Sequence, residues 1–396
     1  MKMVERVIIK KSNKQYKELD NLCFLSKNLY NATLYRVRQH FFESGKYLNY
    51  NAVNKEFTLT NNVDYRALPA KVSKMTQMLV DKSFKSFFTK KKNGYMKVRP
   101  PKYLKKDGRQ IVQYTKQALS FKVKGFVKLS GTDIYIKTQN NNVSFVRITP
   151  KNKYIVVEIG YEVDTPKVVS NGKYASIDLG VNNLATLSSN VFRPIILNGR
   201  PLKSVNQYYN KNIAKLKSEL TLKGKITSNK LDRLHFKRNN KVNDYMHKAS
   251  RYIVNHLVSN EITTLVIGYN KGWKQDISMS KVNNQKFTQI PFLRFVEMLE
   301  YKCKLIGIKV IRQEESYTSK CSFLDNEDIK KHKEYKGSRI KRGLFKSLNG
   351  ILINADVNGS YNILKKYLIK QEAWNDKIFS DCVEVYSTPV VMTINS

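Results

Sequence analysis

Two aspartates stand where a backbone can open toward a ligand. Asp178 closes the apolar run of "YASIDLGVNNLATLSS" (174–189), two residues before Gly180. Asp356 sits in "NADVNGSYNILKKYLIK" (354–370), just ahead of a segment rich in Leu, Ile and Tyr. At a strand end beside a glycine, a carboxylate can face a cleft. It can equally form an Asx turn that caps a hairpin. An aspartate opening a helix can likewise be an N-cap, favoured by the helix dipole. Two or three carboxylates that converge bind hard divalent cations through oxygen, Mg²⁺ above all. Two such ions about 3.5–4 Å apart can activate a water and stabilise the leaving oxygen of a phosphodiester.

Such acids can meet only if the chain layers strands against helices, and the second half has that pattern. Strands at 174–187 precede a helical stretch at 203–258, a strand "TTLVIGYN" (263–270), a helix around 291–305 and a strand "GIKVIRQEES" (307–316). Alternation of this kind predicts a layered α/β domain. The first half differs. Residues 14–42 repeat apolar positions near the 3.6 period, and 70–88 predict a second amphipathic helix with Val72, Met75, Leu79 and Phe87 on its apolar face. Residues 111–163 hold β-rich segments separated by Gly, Asn and Pro turns, which predict a small antiparallel sheet or barrel.

Charge points to the partner. The 396 residues carry 72 Lys and Arg against 31 Asp and Glu, a formal +41, which implies a polyanion and first of all nucleic acid. At 41% hydrophobic the chain can still bury real cores. No run approaches the ~18 apolar residues of a spanning helix, so no membrane partner is expected. The start "MKMVERVIIKKS" is too poor in apolar residues for a signal peptide, and the expected compartment is the cytoplasm, with nucleoid association on DNA. Residues 200–251 hold fourteen Lys or Arg and three acids, a density that repels itself unless an anion neutralises it. Lys211, Lys215, Lys230, Arg233, Lys237 and Arg238 are the predicted contacts there. In 89–109, Lys90, Lys91, Lys92, Arg99 and Tyr103 interleave cations with an aromatic, as single-strand binders do; a solvated linker has the same composition. Cys23, Cys303, Cys321 and Cys382 are scattered without a CxxC pair and read as four reduced thiols. The tail from Gln371 is acidic and carries no motif.

Taken as a set, "SIDLGVNNLAT", "LVIGYNKGWKQ", "EESYTSKCSFLD", "RIKRGLF" and "NADVNGSYNIL" resemble the RuvC-type nuclease domain of TnpB proteins, and "RPPKYLKKDGRQ" extends the likeness toward the N-terminus. The resemblance implies a multidomain α+β chain. A wedge-type β-barrel (1–18 and 95–172) would carry an inserted helical recognition lobe (19–94). An RNase-H-like (RuvC) α/β domain (173–316 and 354–370) would hold a small nucleic-acid-binding insert (317–353), with a tail at 371–396. It implies an RNA-guided DNA endonuclease of a transposable element. A guide RNA from the transposon end would pair with one strand of double-stranded target DNA beside a short flanking motif. The basic segments would line the heteroduplex channel. Two Mg²⁺ ions, with Mn²⁺ as a substitute, would be held by Asp178, Asp356 and a glutamate, and Asn358 would support them.

Two departures matter. The family's usual glutamate at the end of the "TTLVIG" strand is replaced by Gly268. The resemblance then assigns the third ligand to "RQEESYTSK" on the neighbouring strand. Glu315 is preferred and Glu314 is the alternative, because adjacent strand residues face opposite ways. The family's four-cysteine zinc ribbon is also missing. The interval 317–355 contains only Cys321 and His332 as zinc-type ligands, so no structural zinc is expected. Arg339 and Arg342 of that insert are expected on nucleic acid. Loss of the usual glutamate keeps a second reading open, a nuclease-dead, RNA-guided DNA-binding regulator.

Overall fold

The computed structural model describes residues 1–270, 272, 280–375 and 388–394. The chain divides into two compact units, Met1–Asp164 and Thr165–Ser396. Cys382 and the acids Asp376, Asp381 and Glu384 of the tail lie outside the described residues.

In the first unit, β1 (Lys2–Lys10) leads into α1 (Tyr16–Ser44), α2 (Tyr50–Leu59), α3 (Val63–Arg66) and α4 (Ala70–Lys92). Strands β2 (Val112–Thr115), β3 (Leu119–Ser120), β4 (Phe126–Leu129), β5 (Tyr135–Lys137), β6 (Val143–Pro150) and β7 (Tyr154–Glu162) follow. They pair as a four-stranded antiparallel sheet, β1-β7-β6-β2, and a three-stranded one, β3-β4-β5, where one sheet or barrel was expected. Two short helices, α2 and α3, occupy the stretch between the two predicted ones. Asn49 caps α2 by accepting the Ala52 N–H at 3.1 Å, and Asn62 caps α3 by accepting that of Tyr65 at 3.1 Å. The buried face of α4 also differs from the expected one. It is centred on Val72, Val80, Phe84 and Phe87, with polar Thr76, Gln77 and Asp81 inside, while Met75 and Leu79 are half-buried. Thr76 and Asp81 tolerate burial because they are paired, with Ser26 at 3.1 Å and with the Tyr47 hydroxyl at 2.5 Å, while Gln77 accepts from Asn54 at 2.8 Å through its Oε1 alone.

The second unit is built on β8 (Tyr174–Leu179), β9 (Asn183–Ser189), β10 (Ile195–Asn198), α5 (Arg200–Leu222), α6 (Asn229–Ser259), β11 (Thr264–Gly268), α7 (Lys281–Thr288), α8 (Phe292–Lys304) and β12 (Lys309–Gln313). A small sheet of β13 (Ser338–Lys341), β14 (Leu344–Lys346) and β15 (Leu352–Asn354) precedes α9 (Ala355–Lys370), and β16 (Val390–Met392) comes last. The main sheet runs β12-β11-β8-β9-β10-β16, with β12, β11 and β8 parallel. Side-chain alternation sorts its two faces. Ala175, Ile177, Leu265 and Ile267 pack in the core with Met246, Ile253, Phe295 and Leu299 of α6 and α8. Ser176 and Val266 face α9, where Tyr361, Ile363 and Leu364 close the second core. By the same period, Asp178 and Gly268 belong to the α9 face.

One buried cation fastens α8 to α6. Lys302 Nζ donates to the His247 carbonyl at 2.8 Å and to the Ser250 hydroxyl at 2.6 Å. Burial, with Arg251 nearby, brings its pKa down from 10.5 to about 8. Between these two values the unfolded chain binds the proton that the folded chain has released. The contribution of Lys302 to stability therefore rises with pH across that window and is least favourable below it. Lys302→Met removes the titration. Its stability relative to the unaltered protein is expected to fall as pH climbs from about 8 to about 10.5, read as paired urea-unfolding midpoints. A constant difference would show that Lys302 does not titrate in this range.

Candidate active site

Asp178, Gly268 and Glu315 lie together because three parallel strands end together. Ile177 is level with Ile267, and Gly268 with Gln313, so the last residues of β8 and β11 and the chain leaving β12 share one sheet end. Gly268 leaves an open position there, and Glu315 fills it. A Cβ built on Gly268 would lie 2.6 Å from Glu315 Oε2 and 2.5 Å from Ile363 Cδ1. Asn270 holds the glutamate in place from both sides: its Nδ2 donates to Glu315 Oε1 at 3.1 Å, and its Oδ1 accepts the Glu315 N–H at 3.2 Å. Glu314 turns the other way. Its Oε2 accepts from Lys366 Nζ at 2.6 Å and the residue is exposed.

Helix α9 brings the third acid. Asn354 caps it, accepting the N–H of Asp356 at 2.9 Å and of Val357 at 3.3 Å, so the cap is not Asp356 itself. That frees the Asp356 carboxylate. Its Oδ2 accepts from Asn183 Nδ2 at 2.6 Å, and its Oδ1 lies 3.5 Å from an Arg339 guanidinium nitrogen. Gly359, one turn on, lets the helix approach Asp178: a Cβ there would be 3.1 Å from Asp178 Oδ2. Ser360 locks the approach. It accepts from the Ser176 hydroxyl at its carbonyl, 2.7 Å, and donates to the Thr186 carbonyl at 3.0 Å.

The acids feel each other. Burial, then the charges of Asp356 and Glu315, raises the pKa of Asp178 well above the usual carboxylate value. Burial, then Glu314, pushes Glu315 up to about 7. Burial also lifts Glu314, but its hydrogen bonds from Lys366 and the Ser316 backbone outweigh this and hold it low. Clustered carboxylate oxygens are the donor set that a hard cation takes. Among the described residues, however, no three His, Cys, Asp or Glu side chains are arranged so as to hold a metal ion. A cleft of about 660 Å³ opens beside Asp356, lined by Asn182, Asn183, Arg200, Arg339 and Arg342 among others.

Two residues with expected roles, Asn358 and Arg238, are engaged within the protein. Asn358 is fully buried and turned from the acids. Its Oδ1 accepts the Phe323 N–H at 2.9 Å and its Nδ2 donates to the Cys321 carbonyl at 2.9 Å. Asn362, one turn later, donates to the carbonyls of Thr318 and Cys321, and Tyr361 stacks on Phe323 at 4.5 Å. This stripe pins the insert to α9. Within the insert, buried Glu327 ties Ser322 N at 2.7 Å to Lys336 N at 3.0 Å. Cys321 Sγ, at 3.3 Å, and His332 Nε2, at 2.7 Å, both contact the Asp328 carbonyl. Arg238 is likewise committed within the protein: its guanidinium donates to Asn206, Asn239 and the Gln289 carbonyl, all within 3.0 Å. Lys211, Lys215, Lys230, Arg233 and Lys237 are exposed on α5 and α6, as are Arg339 and Arg342 on the insert. In the first unit Lys90, Lys91, Lys92, Arg99 and Tyr103 are exposed as well, with the Arg38 guanidinium over the Tyr103 ring at 5.3 Å. Sequence reasoning missed Asn183 and Asn270. Both stand in quoted motifs, and their amide side chains beside strand ends were the available signal.

These features fall into a known class. The fold is of the Cas12 type: it is similar to Cas12f1 in a cryo-EM structure of its complex with single-guide RNA and target DNA. The TM-score is 0.57 at 15% identity, over 88% of this chain and 82% of that one. Residues 155–274 match the family OrfB_IS605, described as a probable transposase, and residues 292–363 match the Cas12f1-like TNB domain. A TnpB-like protein, ORF457, of Acidianus two-tailed virus is 24% identical over 89% of this chain and 84% of its own length. The endodeoxyribonuclease Cas12f2 of Micrarchaeota archaeon is 27% identical over 60% of this chain, and the match spans 45% of that relative. Together these matches support a TnpB family protein related to type V effectors.

The contact between Glu315 and Gly268 is testable without any assay of function. Gly268→Ala is expected to cost about 1–3 kcal/mol through forced repacking. The cost should be at least ~0.5 kcal/mol smaller when Glu315→Ala is already present, as for groups in contact. Equal costs in a denaturant double-mutant cycle would mean that the carboxylate does not occupy this position.

Proposed function

We propose that this chain is an RNA-guided, Mg²⁺-dependent DNA endonuclease of a transposable element. The observation that carries the reading is the gathering of Asp178, Asp356 and Glu315 on the α9 face of one sheet end, with Glu315 seated over Gly268. The acids at the sheet end support an RNase-H-like (RuvC) reading of the second unit; helices α1 to α4, set in sequence between the antiparallel strands β1 and β2–β7, support a wedge-and-recognition-lobe reading of the first. Asp178, Asp356 and Glu315 would hold two Mg²⁺ ions, or Mn²⁺, which when bound would activate water and stabilise the leaving oxygen. The chain's own groups aim the acids. Asn183 engages one oxygen of Asp356, and Asn270 engages one oxygen of Glu315 and leaves the other over Gly268. Arg200, Arg339 and Arg342 line the cleft beside Asp356 and would receive phosphates. The exposed cations of α5 and α6, and separately those of 90–99, would bind the backbone of guide and target, while pairing reads the sequence. The guide would come from the transposon end, the target would lie beside a short flanking motif, and the protein would act in the cytoplasm.

One observation favours the second reading, a guided DNA-binding regulator that does not cut. The described acids do not form a ready metal site, and Arg339 stands against Asp356. The two readings separate on the purified protein with its co-purifying RNA, identified by small-RNA sequencing, and a matched duplex. Asp178→Ala, Asp356→Ala and Glu315→Ala should each lower Mg²⁺-dependent cleavage by orders of magnitude and leave guided binding nearly intact, because ligand loss removes both catalytic contributions of the ions. Glu314→Ala should do little. Guided binding without cutting in Mg²⁺ or Mn²⁺ would establish the regulator.

Binding should also weaken steeply with salt, since each neutralised phosphate releases counterions. A flat log–log slope of affinity against salt would contradict a backbone-dominated interface.

A further inference from the structure

We propose that the cleft between α5 and α6 holds an unpaired nucleotide, with its base on Tyr208 and its phosphates on the surrounding lysines and arginine. The inference rests on the nucleic-acid reading above and specifies one ligand within it. The two helices form an antiparallel hairpin whose far end has a small core of its own, Leu216, Leu220 and Leu231. The cleft encloses about 970 Å³, room for a nucleotide with its neighbouring phosphate. Its surface has three parts. Lys215, Lys230, Arg233, Lys237 and Lys241 bring positive charge, with Glu219 the only acid among the lining residues described. Val205, Leu216 and Leu234 supply an apolar floor. Tyr208 and Tyr209 supply aromatic rings.

The rings decide the ligand. Cations alone suit any phosphate backbone, and a duplex keeps its base faces stacked inside. A duplex therefore gains nothing from an aliphatic floor or from a tyrosine ring standing in water. Tyr208 is 68% exposed, yet it borders a cleft rather than open surface. Its neighbour Tyr209 is already engaged: the hydroxyl pairs with His235 Nδ1 at 2.8 Å, and the Arg238 guanidinium covers the ring at 5.6 Å. Arg238 itself is held by Asn206 and the Gln289 carbonyl. Tyr209, His235 and Arg238 thus make a fixed wall, and Tyr208 is the ring left available. An extruded or single-stranded base satisfies ring, floor and cations at once, and stacking of this kind tolerates any base.

The test uses the full-length protein and two probes: a fluorescent oligouridine of about a dozen nucleotides carrying one 5-iodouracil, and a blunt DNA duplex of similar length. Tyr208→Ala should weaken oligouridine binding about ten-fold, the effect of one lost stacking contact. It should leave duplex binding within about two-fold, and Tyr208→Phe should restore oligouridine binding. Irradiation should crosslink the iodouracil to the peptide containing Tyr208. Lys237→Ala should weaken both probes. If both probes bind and Tyr208→Ala affects neither, or affects both alike, the stacking site is overturned while the nucleic-acid reading stands. Displacement of the crosslink by polyglutamate but not by unlabelled oligouridine would assign the cleft to an acidic protein segment and overturn it too. If neither probe binds the unaltered protein, the nucleic-acid reading falls with it.

Discussion

Carboxylates of like charge, crowded at one end of a sheet, set the terms for the second unit. Burial, and then the charges of Asp356 and Glu315, raise the proton affinity of Asp178. The surroundings are arranged to make this crowding tolerable. Asn183 donates to Asp356, Asn270 donates to Glu315, and Arg339 brings a cation to the remaining oxygen of Asp356. Two glycines make the crowding sterically feasible: Gly268 leaves the space that Glu315 occupies, and Gly359 lets α9 come down on Asp178. Each of these residues is explained by the acids, and the acids by none of them singly.

What could be read beforehand follows the range of the forces involved. Long amphipathic helices and the α/β alternation were legible because they are local patterns of period 3.6 and 2. Helices α2 and α3 were not, since their burial rests on Val53, Phe57 and Tyr65 alone and their start on asparagine caps. The strand β13 is exposed throughout, so it carries no hydrophobic signal. In the site, Asp178 and Asp356 were legible from their places at element ends, whereas Glu315 came from the family resemblance. Asn358 was the right kind of residue read in the wrong direction, because position along α9 decides whether a side chain meets the acids or the insert. Arg238 was one of many cations in sequence, and only the partners Asn206 and Gln289 single it out.

The two basic surfaces illustrate how little charge alone specifies. On α5 and α6 the excess of cations predicts an anion but not its form. Form enters through what lies between the charges: a cleft with an aliphatic floor and two tyrosines, one braced and one exposed. In the first unit, Tyr103 is already covered by Arg38, so the same composition gives a different surface.

Helix α9 does several jobs within five residues. Asp356 faces the acids, Asn358 grips the insert, Gly359 meets Asp178 and Ser360 bonds the sheet. A border drawn by chain order places the insert at 317–353 and the helix outside it. The hydrogen bonds draw the border elsewhere, through the middle of α9. Anyone exchanging this insert for that of a relative would therefore be transplanting half of a joint. A graft that carried 317–353 alone would leave Asn358 and Asn362 facing an unfamiliar backbone, and the misfit would be passed along a rigid rod to the aspartate at its tip. The natural unit of exchange runs to the end of the helix.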